Sequence, residues 1–277
     1  MAADPGSHEP PHAPQTWHYG LVARWWAEFN VAADAEVAFY RDLIAANGGA
    51  ALDLACGTGR LLLPLVRAGL TVEGCDISQD MIAQCARRAA QDNLTVALHC
   101  QPMHALALPG RYRTIYICDS FGIGGQPAQD RAALARIRAH LEPGGLFVLT
   151  HTLPYANPQG WGLWFTGRRG RLPQLWPEWG ERRPTEDGDE LALISRVEAF
   201  DPLSQLLTLE IRAGLWRDGK LLQMDEYQLQ ETLYFHNELV VLLHDAGFSS
   251  IDVCGGDTVT PATASDTRLT FLARVPG

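Results

Sequence analysis

Residues 50–60, AALDLACGTGR, carry a short apolar run that reaches Asp53 and passes into a Gly57-Thr58-Gly59 turn. The helix-like Leu61-Leu62-Leu63-Pro64-Leu65-Val66 follows. Strand, tight loop and helix in that order leave the free N–H groups of a helix start facing a ligand, as in nucleotide-type sites. The spacing narrows the choice of ligand. A dinucleotide fingerprint needs G-x-G-x-x-G, with a third glycine that lets helix and strand approach closely. That third position is Leu62. Asp53, at the strand's end, would repel a pyrophosphate and favour a cation.

A second strand-like run, TVEGCDIS at 71–78, ends in another acid, Asp76. It falls 17 residues after Gly59, near the roughly 20-residue spacing at which an acid at the second strand tip accepts hydrogen bonds from ribose hydroxyls. Helix capping is the plainer role for such a residue, but Ser78 is better placed for it. The pattern D-x-x-x-G-x-G, from Asp53 to Gly59, resembles motif I of the class I S-adenosylmethionine (AdoMet) methyltransferases, whose cofactor is cationic and carries no phosphate. The resemblance implies that Asp53, Ala55, Cys56, Gly57, Thr58 and Gly59 cradle AdoMet, that Asp76 holds the ribose diol, and that Ile77 and Met81 line one face of the adenine. The products would be a methylated substrate and S-adenosylhomocysteine.

Apolar runs at 50–54, 71–75, 95–100, 114–118 and 146–150 alternate with helix-like segments at 60–67, 79–91 and 128–140. Helical patterns at 21–29 and 33–46 precede them. Such alternation implies a parallel sheet covered on both faces. The phrase Leu141-Glu142-Pro143-Gly144-Gly145 turns into the fifth strand and is a further mark of the same family. Between 155 and 188 the pattern breaks into a segment rich in Pro, Gly, Arg and Trp. Three strand-like runs at 191–200, 205–216 and 221–235 follow, joined by Asp-Pro and Asp-Gly turns that imply antiparallel hairpins. A helix over 237–246, stopped by Gly247, and runs at 251–254 and 269–273 complete the pattern. The fold class expected is α/β: a doubly wound, mostly parallel, seven-stranded Rossmann-like sheet with an inserted antiparallel β cap. Residues 1–16 are expected as a flexible tail, 17–153 with 231–277 as the AdoMet-binding domain, and 154–230 as the cap. The N-terminal Tyr19-Gly20-Leu21 region and the inserted sheet resemble bacterial small-molecule N-methyltransferases of secondary metabolism.

The chain of 277 residues, 47% hydrophobic, is long enough for a large core. Its net charge of −10 argues against nucleic acid as partner. No apolar run approaches a membrane span, and residues 1–15 lack the apolar core of a signal peptide. The six cysteines form no C-x-x-C pair, so free thiols in the cytoplasm and no metal are expected. A small-molecule substrate is the expected partner. The inserted sheet is the expected contact if the chain forms a homo-oligomer.

Methyl transfer is an in-line displacement in which positioning does most of the work. A neutral amine needs no base, whereas a hydroxyl or an ammonium does. The acceptor is expected to be an amine nitrogen, with a hydroxyl oxygen as the alternative. Candidates around the reacting methyl are His151, at the carboxyl end of the fifth strand, Tyr19 and Phe121; His151 and Tyr19 also have structural readings, as a satisfied loop histidine and a packing residue, and the resemblance implies that Phe121 walls the methyl pocket. Asp119 and Ser120 are expected at the amino-acid end of the cofactor, and Tyr19 as part of a lid over it. Where many relatives place an acid after the third strand, this chain reads Gln101-Pro102-Met103-His104. Adenine must then be recognised by main-chain groups near Met103, by Gln101 or by apolar contact. Tryptophans 161, 164, 176 and 179 could line a substrate pocket or anchor the cap. A nicotinamide-dependent oxidoreductase could use the same sheet, but the third glycine is missing and Lys220 is the chain's sole lysine, leaving no Tyr-x-x-x-Lys relay.

Overall fold

Continuous apolar runs bounded by glycines fold as strands buried on both faces, and the computed structural model of residues 17–277 bears this out. The tail expected at 1–16 lies outside the described residues. Helices α1 (Gly20–Phe29) and α2 (Asp34–Asn47) precede β1 (Ala51–Leu54), α3 (Leu62–Arg67), β2 (Val72–Asp76), α4 (Gln79–Gln91) and β3 (Leu98–Cys100). Then come β4 (Tyr112–Cys118), α5 (Pro127–His140) and β5 (Leu141–Thr152). Short helices α6 (Pro158–Gly162) and α7 (Thr166–Arg169) lead to β6 (Arg183–Pro184), β7 (Glu190–Asp201), β8 (Leu206–Arg217) and β9 (Lys220–Thr232). Helix α8 (His236–Asp245) and strands β10 (Ser250–Gly255) and β11 (Arg268–Arg274) close the chain.

The main sheet runs β10-β11-β5-β4-β1-β2-β3. Its first five strands in the chain are parallel, and β11 lies antiparallel between β5 and β10. Period-two alternation sorts the side chains into two cores. Ile115, Ile117, Phe147 and Leu149 pack with Leu134 and Ile137 of α5 and Leu239 and Leu243 of α8. Tyr116, Leu146 and Val148 pack on the other face with Tyr40 and Ile44 of α2 and Leu62 and Leu65 of α3. Each such aliphatic side chain stabilises the fold by about 1.5–3 kcal/mol on burial. The chain order reverses between β1 and β4, and a ligand crevice opens beyond the carboxyl ends at such a point. Among the described residues no helix is long and apolar enough to cross a membrane.

The fifth strand differs from expectation. Leu141 already pairs with Tyr112, and the register then shifts before Thr114 meets Leu146. The Pro143-Gly144-Gly145 phrase is therefore a bulge within β5, where Gly144 takes φ +68 and its N–H reaches the Pro276 carbonyl.

The second sheet, β6-β7-β8-β9, is antiparallel throughout. It has one strand more than the three expected, because Arg183–Pro184 adds a two-residue edge. Asp218 (φ 51) and Gly219 (φ 75) form the tight turn between β8 and β9. One face of this sheet holds Leu191, Ile211, Ala213, Leu215, Tyr227 and Leu229 against Leu21 and Val22 of α1. The other carries the cross-strand pairs Arg196–Glu210 and Arg212–Glu226, with Trp176 stacked on both guanidinium groups. Its last strand is stitched to the loop after β4: Thr232 N donates to the Gly122 carbonyl at 2.9 Å, and Gly124 N to that of Gln230 at 2.8 Å.

Gly122 sits at φ +97, and a Cβ there would fall 2.5 Å from the Thr232 carbonyl oxygen. Gly122→Ala is expected to lower unfolding free energy by about 1–3 kcal/mol in urea titration. Gly188→Ala, at φ +86 in open space, isolates the cost of backbone strain alone and should lower it less.

Candidate functional site

Beyond the carboxyl ends of β1, β2 and β4 lies a cavity of about 630 Å³. It is built by two sharp strand-to-helix turns. Ala55 (φ 67), Gly57 (φ 53) and Gly59 (φ 81) all take left-handed backbone. Gly59 is required by close approach: a Cβ would lie 2.6 Å from Cys85 Sγ and 2.8 Å from Leu63 Cγ. The close helix–sheet contact given up at Leu62 is recovered elsewhere. A Cβ on Gly74 of β2 would lie 2.5 Å from Leu62 Cδ2, so the glycine that lets α3 lie on the sheet belongs to the strand.

Asp76 ties the two turns together. Its Oδ2 accepts from Gly57 N and its Oδ1 from Ser78 N, each at 2.8 Å. Burial raises this carboxyl while those N–H groups oppose the rise. Each oxygen keeps acceptor capacity for a ligand hydroxyl. Ser78 caps α4 by accepting from Met81 N. Asp53 stands at the cavity wall, and burial pushes its carboxyl up to about 7, against the pull of nearby Arg60. The Arg60 guanidinium forks onto Glu36 of α2 and reaches Cys118 Sγ at 3.2 Å.

Of the residues named from sequence, Asp53, Ala55, Cys56, Gly57, Thr58, Asp76, Ile77, Met81, Pro102, Met103, His104, Asp119 and Ser120 all line this one cavity. Gly59 shapes the loop from behind. Gln101 also lines it, and its Oε1 accepts from Ala107 N at 2.9 Å, leaving its amide N–H groups for a ligand. Asp119 (φ 51) accepts from Arg268 Nε at 2.9 Å and from Thr152 Oγ1 at 3.2 Å.

Three expectations need correction. His151 does not line the cavity: it is buried, and its Nε2 donates to the Tyr234 carbonyl at 3.1 Å. Burial lowers its basicity. Phe121 is buried against Tyr234, with ring centroids 5.5 Å apart. Tyr19 turns away to pack on Tyr227 at 4.6 Å.

The neighbour His18 takes the wall position instead, with Trp17, Trp26 and Asn30. Ser78 Oγ donates to the His18 carbonyl, and the Tyr227 hydroxyl is hydrogen-bonded to its Nδ1, both at 2.6 Å. Burial pushes the imidazole down to about 4, which keeps the ring neutral. The sequence showed an aromatic helix start but not which residue faces inward. Arg60, Ile123, Gly124, Gln126, Gln129 and Asp130 also line it and were not foreseen. The position of Arg60 beside Gly59 was the available signal; Ile123 and Gly124 are placed by their backbone contacts with β9. Among the lining side chains stand four carboxylates, Asp53, Asp76, Asp119 and Asp130, of which Asp119 pairs with Arg268, and one guanidinium, which Glu36 already matches. The interior favours a cation.

Residues 51–145 match the family described as "Methyltransferase domain". The chain is 24% identical over 225 residues to a putative methyltransferase of Geobacillus sp., covering 80% of this chain and 83% of that one. It is 40% identical over 101 residues to the dTDP-3-amino-3,6-dideoxy-alpha-D-glucopyranose N,N-dimethyltransferase of Streptomyces fradiae, 35% and 37% of the two chains. Its fold is similar to the crystal structure of a S-adenosylmethionine-dependent methyltransferase from Clostridium acetobutylicum, with TM-score 0.71 and 18% identity over 92% of this chain and 98% of that one.

The raised Asp53 carboxyl has a stability consequence. A folded value near 7, above the unfolded one, gives a contribution that is full below about pH 4 and is lost as pH rises through 7. Asp53→Asn removes that dependence. The melting temperature of the variant relative to the parent should therefore be higher at pH 8 than at pH 5, measured by calorimetry without ligand.

Proposed function

We propose that this chain, a member of the S-adenosylmethionine-dependent methyltransferases, moves a methyl group from AdoMet to an amine nitrogen of a small molecule. The observation that carries the reading is the excess of carboxylates around the cavity. Asp76 is the acid for the ribose hydroxyls, through the lone pairs its backbone partners leave open. Ile77, Met81 and Met103 offer apolar walls for a purine, and the Gln101 amide a polar contact that Pro102 cannot make. Asp53 and Asp119, with the loop N–H groups, take the amino-acid end. In this reading residues 17–153 with 231–277 form the donor-binding domain, and 154–230 the cap over it.

Bound AdoMet supplies a methyl carbon made electrophilic by the adjoining sulfonium. The protein's part is to hold the acceptor lone pair in line with the S–CH₃ bond and to keep water out. The Trp17, Trp26 and Ile123 side chains offer apolar surface for that exclusion. The nitrogen acceptor is supported by the similarity to an enzyme named for an amino sugar, and by an interior that suits a protonated amine.

Two measurements test this. A mass-spectrometric screen with methyl-labelled AdoMet, over amines that include dTDP-3-amino-3,6-dideoxy-α-D-glucopyranose and over phenols, should transfer label to an amine. Label found only on phenols would move the acceptor to oxygen. Asp76→Ala should weaken AdoMet by at least about tenfold in calorimetry, through loss of charge-assisted hydrogen bonds. An unchanged dissociation constant would remove Asp76 from the ribose.

A further inference from the structure

We infer that Glu231, on the cap strand that crosses the core, is the group that takes the proton from an ammonium acceptor before methyl transfer; this rests on the donor and acceptor proposed above. Glu231 is not itself among the cavity-lining residues, but it pairs with Leu207 in the β8–β9 ladder and forms a separate bridge with Ile123, which is. Alternation along β9 fixes its direction. Asp225 accepts from Leu21 N of α1 at 2.8 Å, and Tyr227 is hydrogen-bonded to His18 on the cavity wall. Glu231 shares their face, since side chains two apart along a strand point the same way.

The carboxylates around it are all engaged. On the opposite face of the sheet Glu210 and Glu226 hold arginines, and Glu198 accepts from Gln228. Nearer the cavity, Asp119 and Asp257 hold Arg268, and Glu36 holds Arg60. Glu231 alone in this group has no hydrogen bond or ion pair among the described residues. Burial, and then the neighbouring Asp119 charge, push it up to about 7. The charged group acting on it is thus Asp119, which is itself paired with Arg268. A carboxylate so placed gains from a ligand that brings both positive charge and N–H donors.

The histidines cannot serve as well. His18 Nδ1 is already hydrogen-bonded to Tyr227, and His151 is committed to the Tyr234 carbonyl. His104 stands at the β3 end of the cavity, three strands from β4 in the sheet. A carboxyl raised toward an amine's own range is also a better base for it than an ordinary glutamate.

The step balances. Glu231 takes one proton from R–NH₃⁺; the freed lone pair forms the N–CH₃ bond as the S–CH₃ bond breaks, and that electron pair stays on sulfur as a thioether. The methylated amine leaves as R–NH₂⁺–CH₃, and Glu231 releases its proton to water.

The test compares the full wild-type chain with Glu231→Gln and Glu231→Asp across pH 5.5–9, using AdoMet and the aliphatic amine that reacts fastest in the screen. Glu231→Gln should lower kcat/KM by roughly 10²–10⁴-fold and remove the acid limb near pH 7. Glu231→Asp should recover part of the loss, and AdoMet affinity by calorimetry should stay within about twofold. An arylamine, neutral at these pH values, should lose less than about threefold. Equal losses on both amines, or aliphatic turnover within threefold of wild type, overturn the inference while leaving the donor assignment intact. Failure of wild type to bind AdoMet would instead overturn the earlier reading. A further readout needs no turnover: the wild-type minus Glu231→Gln infrared difference in S-adenosylhomocysteine-loaded protein at pH 6.5. Added n-propylammonium should convert the protonated Glu231 signal to carboxylate, and an unchanged signal overturns the inference.

Discussion

The Asp76 carboxylate, buried between the first two strand-to-helix turns, accepts from Gly57 N with one oxygen and from Ser78 N with the other. The shape of the cavity depends on that double contact. A buried carboxylate without donors would be costly or neutralised, and two loop N–H groups without acceptors would be costly as well. Satisfying both together fixes where the left-handed residues Ala55, Gly57 and Gly59 must sit. It also orients α4, whose first turn is held by the adjoining Ser78.

From there the constraint passes outward to the second sheet. Ser78 holds the His18 carbonyl, and His18 is hydrogen-bonded to the Tyr227 hydroxyl, so the cavity wall is joined through two hydrogen bonds to β9, the last strand of the second sheet. Asp80 of α4 accepts from Gly20 N, and Asp225 of β9 from Leu21 N. The start of α1 is thereby fastened to α4 and to the second sheet at once. On the far side the Gly122–Thr232 and Gly124–Gln230 contacts close the ring. The second sheet is thus tied to the core both through α1 and through the loop after β4.

The parallel core was legible because period and punctuation agree: five apolar runs interleaved with helical patterns allow few topologies. The two acids at strand ends were legible for the same reason, since a strand's end fixes where its last side chain points. What failed were positions set by a neighbour distant in sequence. His151 occupies the right strand end, yet the Tyr234 carbonyl, 83 residues on, claims its ring. Tyr19 and His18 differ by one residue at a helix start, and only the place of Tyr227 decides which faces inward. The missing third glycine argued against a dinucleotide, but its packing duty had moved to Gly74, on another strand. The bulge in β5 was hidden because Pro-Gly-Gly reads as a turn whether or not its flanks continue a ladder.

The charge of the site bears on direction as well as recognition. Four carboxylates face a cavity whose single guanidinium is already paired, within a chain of net charge −10. In the proposed reaction the sulfur enters positive and leaves neutral, so its attraction to these carboxylates falls once the methyl has moved. Charges this close interact through a medium less polarisable than water, which enlarges the difference between donor and product. The same groups then greet the positive charge that appears on the acceptor nitrogen. An electrostatic arrangement that favours a cationic donor therefore also stabilises the charge where it arrives.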